Sequence, residues 1–210
     1  MFYNIVQIGA FVGKDDVHDI LTKETNATAI LIEPVPWFYD KLTKNYNTIS
    51  NSNRITFSSD VINLYDGVCE FHCMEDVDYK FNYQTDKNWG PEISGTSIVL
   101  IKEHEQYLDG QSFQYRTLNL NCISPKSFIK KYNITGIEFL KIDAEGMDFD
   151  LIANWPFDSI KPKYLQFEVC HLDGHVNQKT KLNPLNSFLN KMGYNFLKNN
   201  GLDAIYVLKN

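Results

Sequence analysis

Paired cysteines are missing from this chain. Its four, Cys69, Cys73, Cys122 and Cys170, show no C-x-x-C spacing. They are expected as small buried hydrophobes in a reducing compartment, not as zinc ligands or disulfides. Any surplus of positive charge is missing too. The formal net charge is -6, which makes a polyanion such as nucleic acid a poor first partner. The densest basic spots, Lys130-Lys131 and the Lys161 to Lys163 turn, read as solvated helix ends. No apolar run exceeds strand length, so no membrane-spanning helix and no membrane partner are expected. Met1 to Ala10 leads straight into a core strand without a basic leader, so no signal peptide is expected and the expected compartment is the cytoplasm. Repeats, linkers and low-complexity tails are also lacking. What is there, 210 residues with 43% hydrophobic and 22% charged, suits one α/β domain over 1-210.

The first strand is Asn4 to Ile8, an Ile/Val run stopped at Gly9, with Gly13 four positions on. Glycines there let the backbone turn tightly and approach a ligand. Asp15 or Asp16 can cap the helix that follows, on which Val17, Ile20 and Leu21 share a face. Ala29 to Ile32 is a second buried strand, closed by Glu33-Pro34. A helix carrying Trp37, Phe38, Leu42 and Tyr46 precedes a third strand, Ile55 to Ser58, which ends at Ser59-Asp60. Strand and helix in alternation predict a parallel sheet with helices on its faces. Gly67 to Met74 and Arg116 to Ile123 alternate like strands, and little is periodic over 76-114. So long a stretch without regular structure reads as a substrate loop or lid. Ser124-Pro125 opens a helix through Tyr132. The strand Ile137 to Ile142 is closed by Asp143-Ala144-Glu145-Gly146, with Leu151 and Ile152 in the next helix. Tyr164 to Val169 is a further buried strand, followed by Cys170 to His175. A helix over Pro184 to Met192 and a hairpin ending in Asp203 to Leu208 complete the chain.

Nicotinamide sites use G-x-G-x-x-G, but bulky Phe11 stands where the middle glycine belongs, which disfavours a nucleotide-dependent oxidoreductase. The turn is one residue short of a P-loop, and Asp15 follows Lys14. A ligand with adenosine but no phosphates fits better, and S-adenosylmethionine is the common one. Glu33 lies about twenty residues beyond the turn, where nucleotide-binding sheets place an acid for ribose hydroxyls.

The residues Gln7 to Gly13, Leu31-Ile32-Glu33-Pro34-Val35-Pro36, Phe139 to Gly146, and Phe167-Glu168 with His171-Leu172 together resemble the FkbM family of S-adenosylmethionine-dependent methyltransferases. Lys141-Ile142-Asp143-Ala144-Glu145-Gly146 carries the most specific part of the likeness. The resemblance implies a Rossmann-like class I methyltransferase fold, a seven-stranded sheet with its last strand antiparallel. It also implies that Gln7, Gly9, Ala10, Phe11 and Gly13 wrap the methionine end of the cofactor. Glu33 with Pro34 would hold the ribose, and Asp60 and Val61, next to Ser59, would flank the adenine. Gln7 stands where the family often has an acid, and Phe11 where it often has Asn.

Asp143, Glu145, Glu168 and His171 fall at the carboxyl ends of two strands expected to be neighbours, where open α/β sheets bind ligands. Methyl transfer needs near-attack geometry and removal of a proton from the acceptor. In this reading His171 is the general base for a substrate hydroxyl and Glu168 orients it. Asp143 and Glu145 position the cofactor amine or the substrate. The plainer reading makes Asp143 and Glu145 caps of the helix near Met147. His18, His72, His104 and His175 read as structural, with His175 within reach of the site. The same four acid and histidine groups offer ligands for magnesium or manganese, a rival not favoured by their spacing. The expected activity is O-methylation of a sugar, glycan or small-metabolite hydroxyl. The competing reading is a cofactor-binding module of the same fold without turnover.

Overall fold

The computed structural model describes residues 1-74, 92-105, 115-176 and 180-209. β1 (Phe2–Ile8) runs into α1 (Asp16–Lys23), whose first amides, on Val17 and His18, donate to the Asp15 carboxylate. β2 (Ala29–Ile32) is buried at every position and leads into α2 (Pro36–Tyr46) and then β3 (Ile55–Ser58). The middle of the chain adds β4 (Val61–Ile62), β5 (Gly67–Met74), α3 (Ile98–Glu105) and β6 (Tyr115–Ile123). Next come α4 (Pro125–Lys131), capped by the Ser124 hydroxyl, β7 (Gly136–Ile142) and α5 (Asp148–Ala153). β8 (Tyr164–Glu168), α6 (Leu182–Met192), β9 (Tyr194–Asn199) and β10 (Asp203–Leu208) end it.

Seven strands form the main sheet in the order β3-β2-β1-β7-β8-β10-β9. The pairs among β3, β2, β1, β7 and β8 are all parallel, and β10 runs antiparallel to β8 and β9. Side chains alternate across the strands, so β1 feeds two helical layers. Ile5 packs with Val17, Leu21, Leu42 and Tyr46 from α1 and α2. Val6 and Ile8 join Phe128, Leu151, Leu185 and Leu189 from α4, α5 and α6. This sandwich brings the carboxyl ends of β1, β2, β7 and β8 to one edge. Among the described residues no helix is long and apolar enough to cross a membrane.

Three elements of the middle segment form a second small sheet, with β6 between β4 and β5. Its apolar face packs on Val12, Val35 and Phe38, beside the turn after β1. Residues 76-91 and 106-114 of the expected lid lie outside the described residues. The rest of that segment is ordered, contrary to the expectation of little structure. Gly95 and His72 exchange backbone hydrogen bonds of 2.8 and 2.9 Å, and Ile93, Leu100 and Ile101 form a small buried cluster around α3.

Candidate active site

The turn after β1 is shaped first by its neighbours. At Gly9 (φ +77°) an added Cβ would sit 1.8 Å from the Asp143 carbonyl oxygen, because β7 leaves the sheet alongside. Gly9 and Ala10 donate their amides to the Ile32 carbonyl at 3.1 and 2.9 Å, which binds the turn to β2. Phe11 adopts φ 45° and turns its ring edge-on to Phe38 at 4.6 Å. Its amide then reaches the Glu33 carboxylate, which also accepts from the Val35 amide at 2.8 Å. Glu33 is 3% exposed, and burial pushes its carboxyl up to about 7 despite these bonds. Gly13 serves packing: a Cβ there would meet Tyr46 and Leu42 of α2 at 2.4 and 2.5 Å.

A cavity of about 300 Å³ opens beyond these strand ends. Of the residues singled out in the sequence, Gly9, Ala10, Phe11, Gly13, Glu33, Pro34, Asp60, Val61, Asp143 and Glu145 line it. Gln7, Ser59, Glu168 and His171 are not on its wall. Gln7 lies behind the turn and donates to Asp15 at 2.7 Å, while Ser59 points to solvent. Asp60 is held by the Ser58 hydroxyl at 2.9 Å and by the Lys131 ammonium. Three wall features escaped the sequence reading. Lys141 lines the cavity, tied to Asp15 at 3.0 Å and Asp16 at 2.6 Å. Although burial opposes its charge, these two acids outweigh it and raise the ammonium's pKa. Lys14 and Asp15 flank it, and Glu92, Ser94 and Thr96 supply a wall from the middle segment. That wall can close because Gly95 lets the segment pass against the Glu145 carbonyl, with only 3.2 Å available to a Cβ.

The loops after β7 and β8 meet at two glycines. A Cβ on Gly146 would come within 2.7 Å of the Gly174 Cα, so nothing larger allows this approach. Glu145, in the left-handed region at φ 46°, thereby comes 2.8 Å from His171 Nδ1. The Glu168 oxygens lie 2.9 and 3.0 Å from the same nitrogen, and the Cys170 thiol donates to Glu168 at 2.6 Å. Asp148, fully buried, accepts from the amides of Ala144 at 3.2 Å and Glu168 at 3.3 Å, joining the two loops. It occupies the helix-start position that the plainer reading gave to Asp143 and Glu145, and neither of those caps α5.

So many acids in one place cannot all ionise freely. Burial, then the charges of Glu168 and other neighbours, pushes Glu145 up to about 7, although His171 pulls the other way. Burial followed by mutual repulsion also holds Asp143 and Asp148 well above the usual carboxylate range. Burial works against the His171 charge, yet its bonds to Glu145 and Glu168 outweigh that and raise it to about 10. His171 is therefore an imidazolium at neutral pH, a poor proton acceptor. It is also 8% exposed and stands behind Glu145 as seen from the cavity. This surrounding departs from the one the sequence reading expected for a base. Oxygens of Asp143, Glu145 and Glu168 fall within 4.8 Å of one another, and so do donor atoms of Glu168, Cys170 and His171. Here the imidazolium provides the counter-charge.

Strand order, the antiparallel β10 and a cavity over the β1 turn define a class I methyltransferase fold, the fold that the resemblance implied. The methyltransferase FkbM domain profile matches residues 7–196, and the chain belongs to that family. None of the curated proteins matches it in sequence. Among solved structures it is similar to the Methanococcus jannaschii fibrillarin pre-rRNA processing protein, with a TM-score of 0.50 and 8% identity over 98% of this chain and 66% of that one. It also aligns with the N-terminal domain of human METTL16 (0.48, 9%, 100% and 62%) and with an O-methyltransferase from Bacillus cereus in complex with SAH (0.45, 11%, 98% and 74%). The chain thus spans somewhat less than two thirds of the length of the first solved structures it matches. At these identities the likeness is one of fold.

Proposed function

We propose that this chain is an S-adenosylmethionine-dependent O-methyltransferase of a sugar, glycan or small-metabolite hydroxyl, with Glu145 as the general base. One observation carries the assignment: of the carboxylate–imidazole cluster, Glu145 both lines the cavity and lies in ion-pair contact with the imidazolium, 2.8 Å from its Nδ1. The cavity residues fit the cofactor. Glu33 offers a fixed, buried acceptor for the ribose diol, and Asp60 stands one strand further for the adenine. Glu33, Asp60, Asp143 and Glu145 on the wall suit a cationic sulfonium, and no glycine-rich cradle for phosphates is present. When bound, S-adenosylmethionine supplies an electrophilic methyl group.

The chain's own work is placement and proton removal. A base is most effective when its pKa lies near the working pH, and Glu145 at about 7 meets that condition. His171 keeps Glu145 from rising further, Glu168 orients the imidazole, and Asp148 fixes both loops. Asp143, at the strand end facing the cavity, positions the cofactor amine. Calorimetry with S-adenosylhomocysteine tests the pocket, and its failure to bind at millimolar concentration would remove the proposal. A transfer assay on a panel of glycosides and hydroxyl metabolites then tests the base. Glu145→Gln is expected to retain S-adenosylhomocysteine affinity and lose on the order of 10²-fold in kcat or more. Turnover that vanishes with a chelator and returns only with magnesium or manganese would replace this base by a metal ion. Cofactor binding without transfer to any acceptor would favour the non-catalytic module.

A further inference from the structure

The buried cluster has a further member that comes from outside the loops after β7 and β8. His104 lies on α3, in the segment between β5 and β6, and is 6% exposed. Its Nε2 stands 3.0 Å from His171 Nε2, with the two rings edge to face at 4.7 Å. Its Nδ1 is 2.8 Å from the Leu100 carbonyl oxygen. A carbonyl oxygen only accepts, so His104 carries a proton on Nδ1, and burial, which lowers its pKa, favours the neutral ring whose Nε2 then carries a lone pair. The neighbouring Glu103 fastens the helix in place, accepting from His175 Nδ1 at 2.6 Å and from the Val176 amide at 2.9 Å.

His171 is therefore flanked by acceptors on both sides: His104 at Nε2, and Glu168 at Nδ1 with Glu145 in ion-pair contact beside it. A neutral imidazole has one N–H and can satisfy one side only. The imidazolium alone satisfies both. We propose that His104 is a positioning residue of the active site, an acceptor delivered by the middle segment that locks His171 in its doubly protonated form. The inference rests on the reading of Glu145 as base, which it deepens. A locked cation beside Glu145 keeps that carboxylate ionised toward lower pH and offsets the repulsion among the acids. Without the acceptor, the neutral Nδ1–H tautomer would leave no N–H unpaired, whereas the charged ring would leave its Nε2–H without a partner, and His171 would give up its charge more easily.

The groups around this pair come from every packed element. Glu145 and Asp143 follow β7, Asp148 opens α5, and Glu168 and Cys170 end β8. Glu103 lies on α3, and Glu92 acts on Glu145 from the cavity wall. Most are acids and favour the charged imidazole whether or not His104 is present. The contribution of His104 must therefore be read by changing that residue alone. Burial lowers the pKa of His104 itself, consistent with a neutral ring.

The test is long-range 1H–15N spectroscopy of the full chain with 15N-labelled histidine, from pH 5 to 10, each ring assigned by its own substitution. In the unsubstituted protein His104 is expected as the neutral Nδ1–H tautomer and His171 as protonated on both nitrogens at pH 7. His104→Leu is expected to lower the His171 midpoint by about one pH unit, a tenfold easier loss of the proton. His104→Gln, whose carbonyl oxygen restores an acceptor, is expected to bring most of that back. An Nε2–H tautomer at His104 overturns the proposal even if the leucine variant does not fold. An unmoved His171 midpoint in His104→Leu also overturns it. Neither result touches the Glu145 reading, which fails separately if Glu145→Gln transfers methyl groups at the wild-type rate.

Discussion

Glu33 shows how one side chain can serve the fold and a ligand together. Its carboxylate takes the Val35 amide and the Phe11 amide, so the turn after β1 and the start of α2 are both set by it. It also faces the cavity. A buried hydrogen bond to a charged group contributes on the order of 1.5–3 kcal/mol, and two ribose hydroxyls would draw on the same acid. Glu33→Ala is expected to weaken S-adenosylhomocysteine binding by about 10- to 100-fold. Because two amides lose their acceptor, the melting temperature of the unliganded protein should fall as well. Calorimetric titration and thermal unfolding together check this, and unchanged affinity would place the ribose elsewhere. Phe11 is explained at the same scale. In the sequence it is an anomaly in a turn that favours small or polar residues. In the fold its ring lies on Phe38 while its amide serves Glu33.

The middle segment decides the site at the level of elements. Residues 92-97 cross the cavity because Gly95 permits contact with the Glu145 carbonyl. Gly95→Val adds two methyl groups beyond a Cβ that already has only 3.2 Å, and backbone cannot swing aside like a flexible side chain. The wall carrying Glu92, Ser94 and Thr96 should lift. The expected result is a loss of cofactor affinity of about tenfold with little change in the core, seen by titration and by unchanged far-UV circular dichroism. No local pattern in the sequence reveals this wall. The strands β1, β2, β3, β7 and β8 were readable because each is a short run of aliphatic, aromatic or β-branched residues stopped by a turn signal. Caps at Asp15 and Ser124 were readable because their chemistry is local. α3 escaped because Ile98-Val99-Leu100-Ile101 is an unbroken apolar run followed by charged residues, with no 3.6-residue period. Its buried contacts come from tertiary packing. β4, at two residues, is too short to leave a pattern. The acid loop was found as residues, but its roles were not legible. Which of Glu145 and His171 faces the cavity depends on the Gly146–Gly174 approach, and the partner of His171 sits 67 positions away.

Across the whole molecule the buried cluster sets an unusual dependence of stability on pH. Stability falls with rising pH wherever the native state binds more protons than the unfolded chain. His171 is raised from 6.5 to about 10, so its contribution is complete below pH 6.5 and is lost as the pH climbs toward 10. Glu145 and Glu33 are raised from 4.5 to about 7, so the native state holds their protons longer as well. What they contribute is complete below pH 4.5 and disappears through pH 7. Asp143 and Asp148 shift in the same direction. The opposing shifts at Asp66 and Glu103 belong to carboxylates near solvent, where screening reduces their weight, and the lowered value at His104 opposes the trend only around and below pH 6.5. The unliganded chain should therefore melt at progressively lower temperature from pH 5 to pH 9. Each pH unit over which the native state holds one extra proton removes about 1.4 kcal/mol, and for a chain of this size about 1 kcal/mol moves the midpoint by roughly 2–4 °C. Scanning calorimetry at pH 5, 7 and 9 reads this directly. Glu145→Gln, neutral at every pH, should flatten the slope between pH 5 and 7 and, because Glu145 is one of the two acids that raise His171, weaken the fall above pH 7 as well. A melting temperature that is level or rises over that range would mean that the acids are already compensated, and the raised values at Glu145 and His171 would have to be abandoned together.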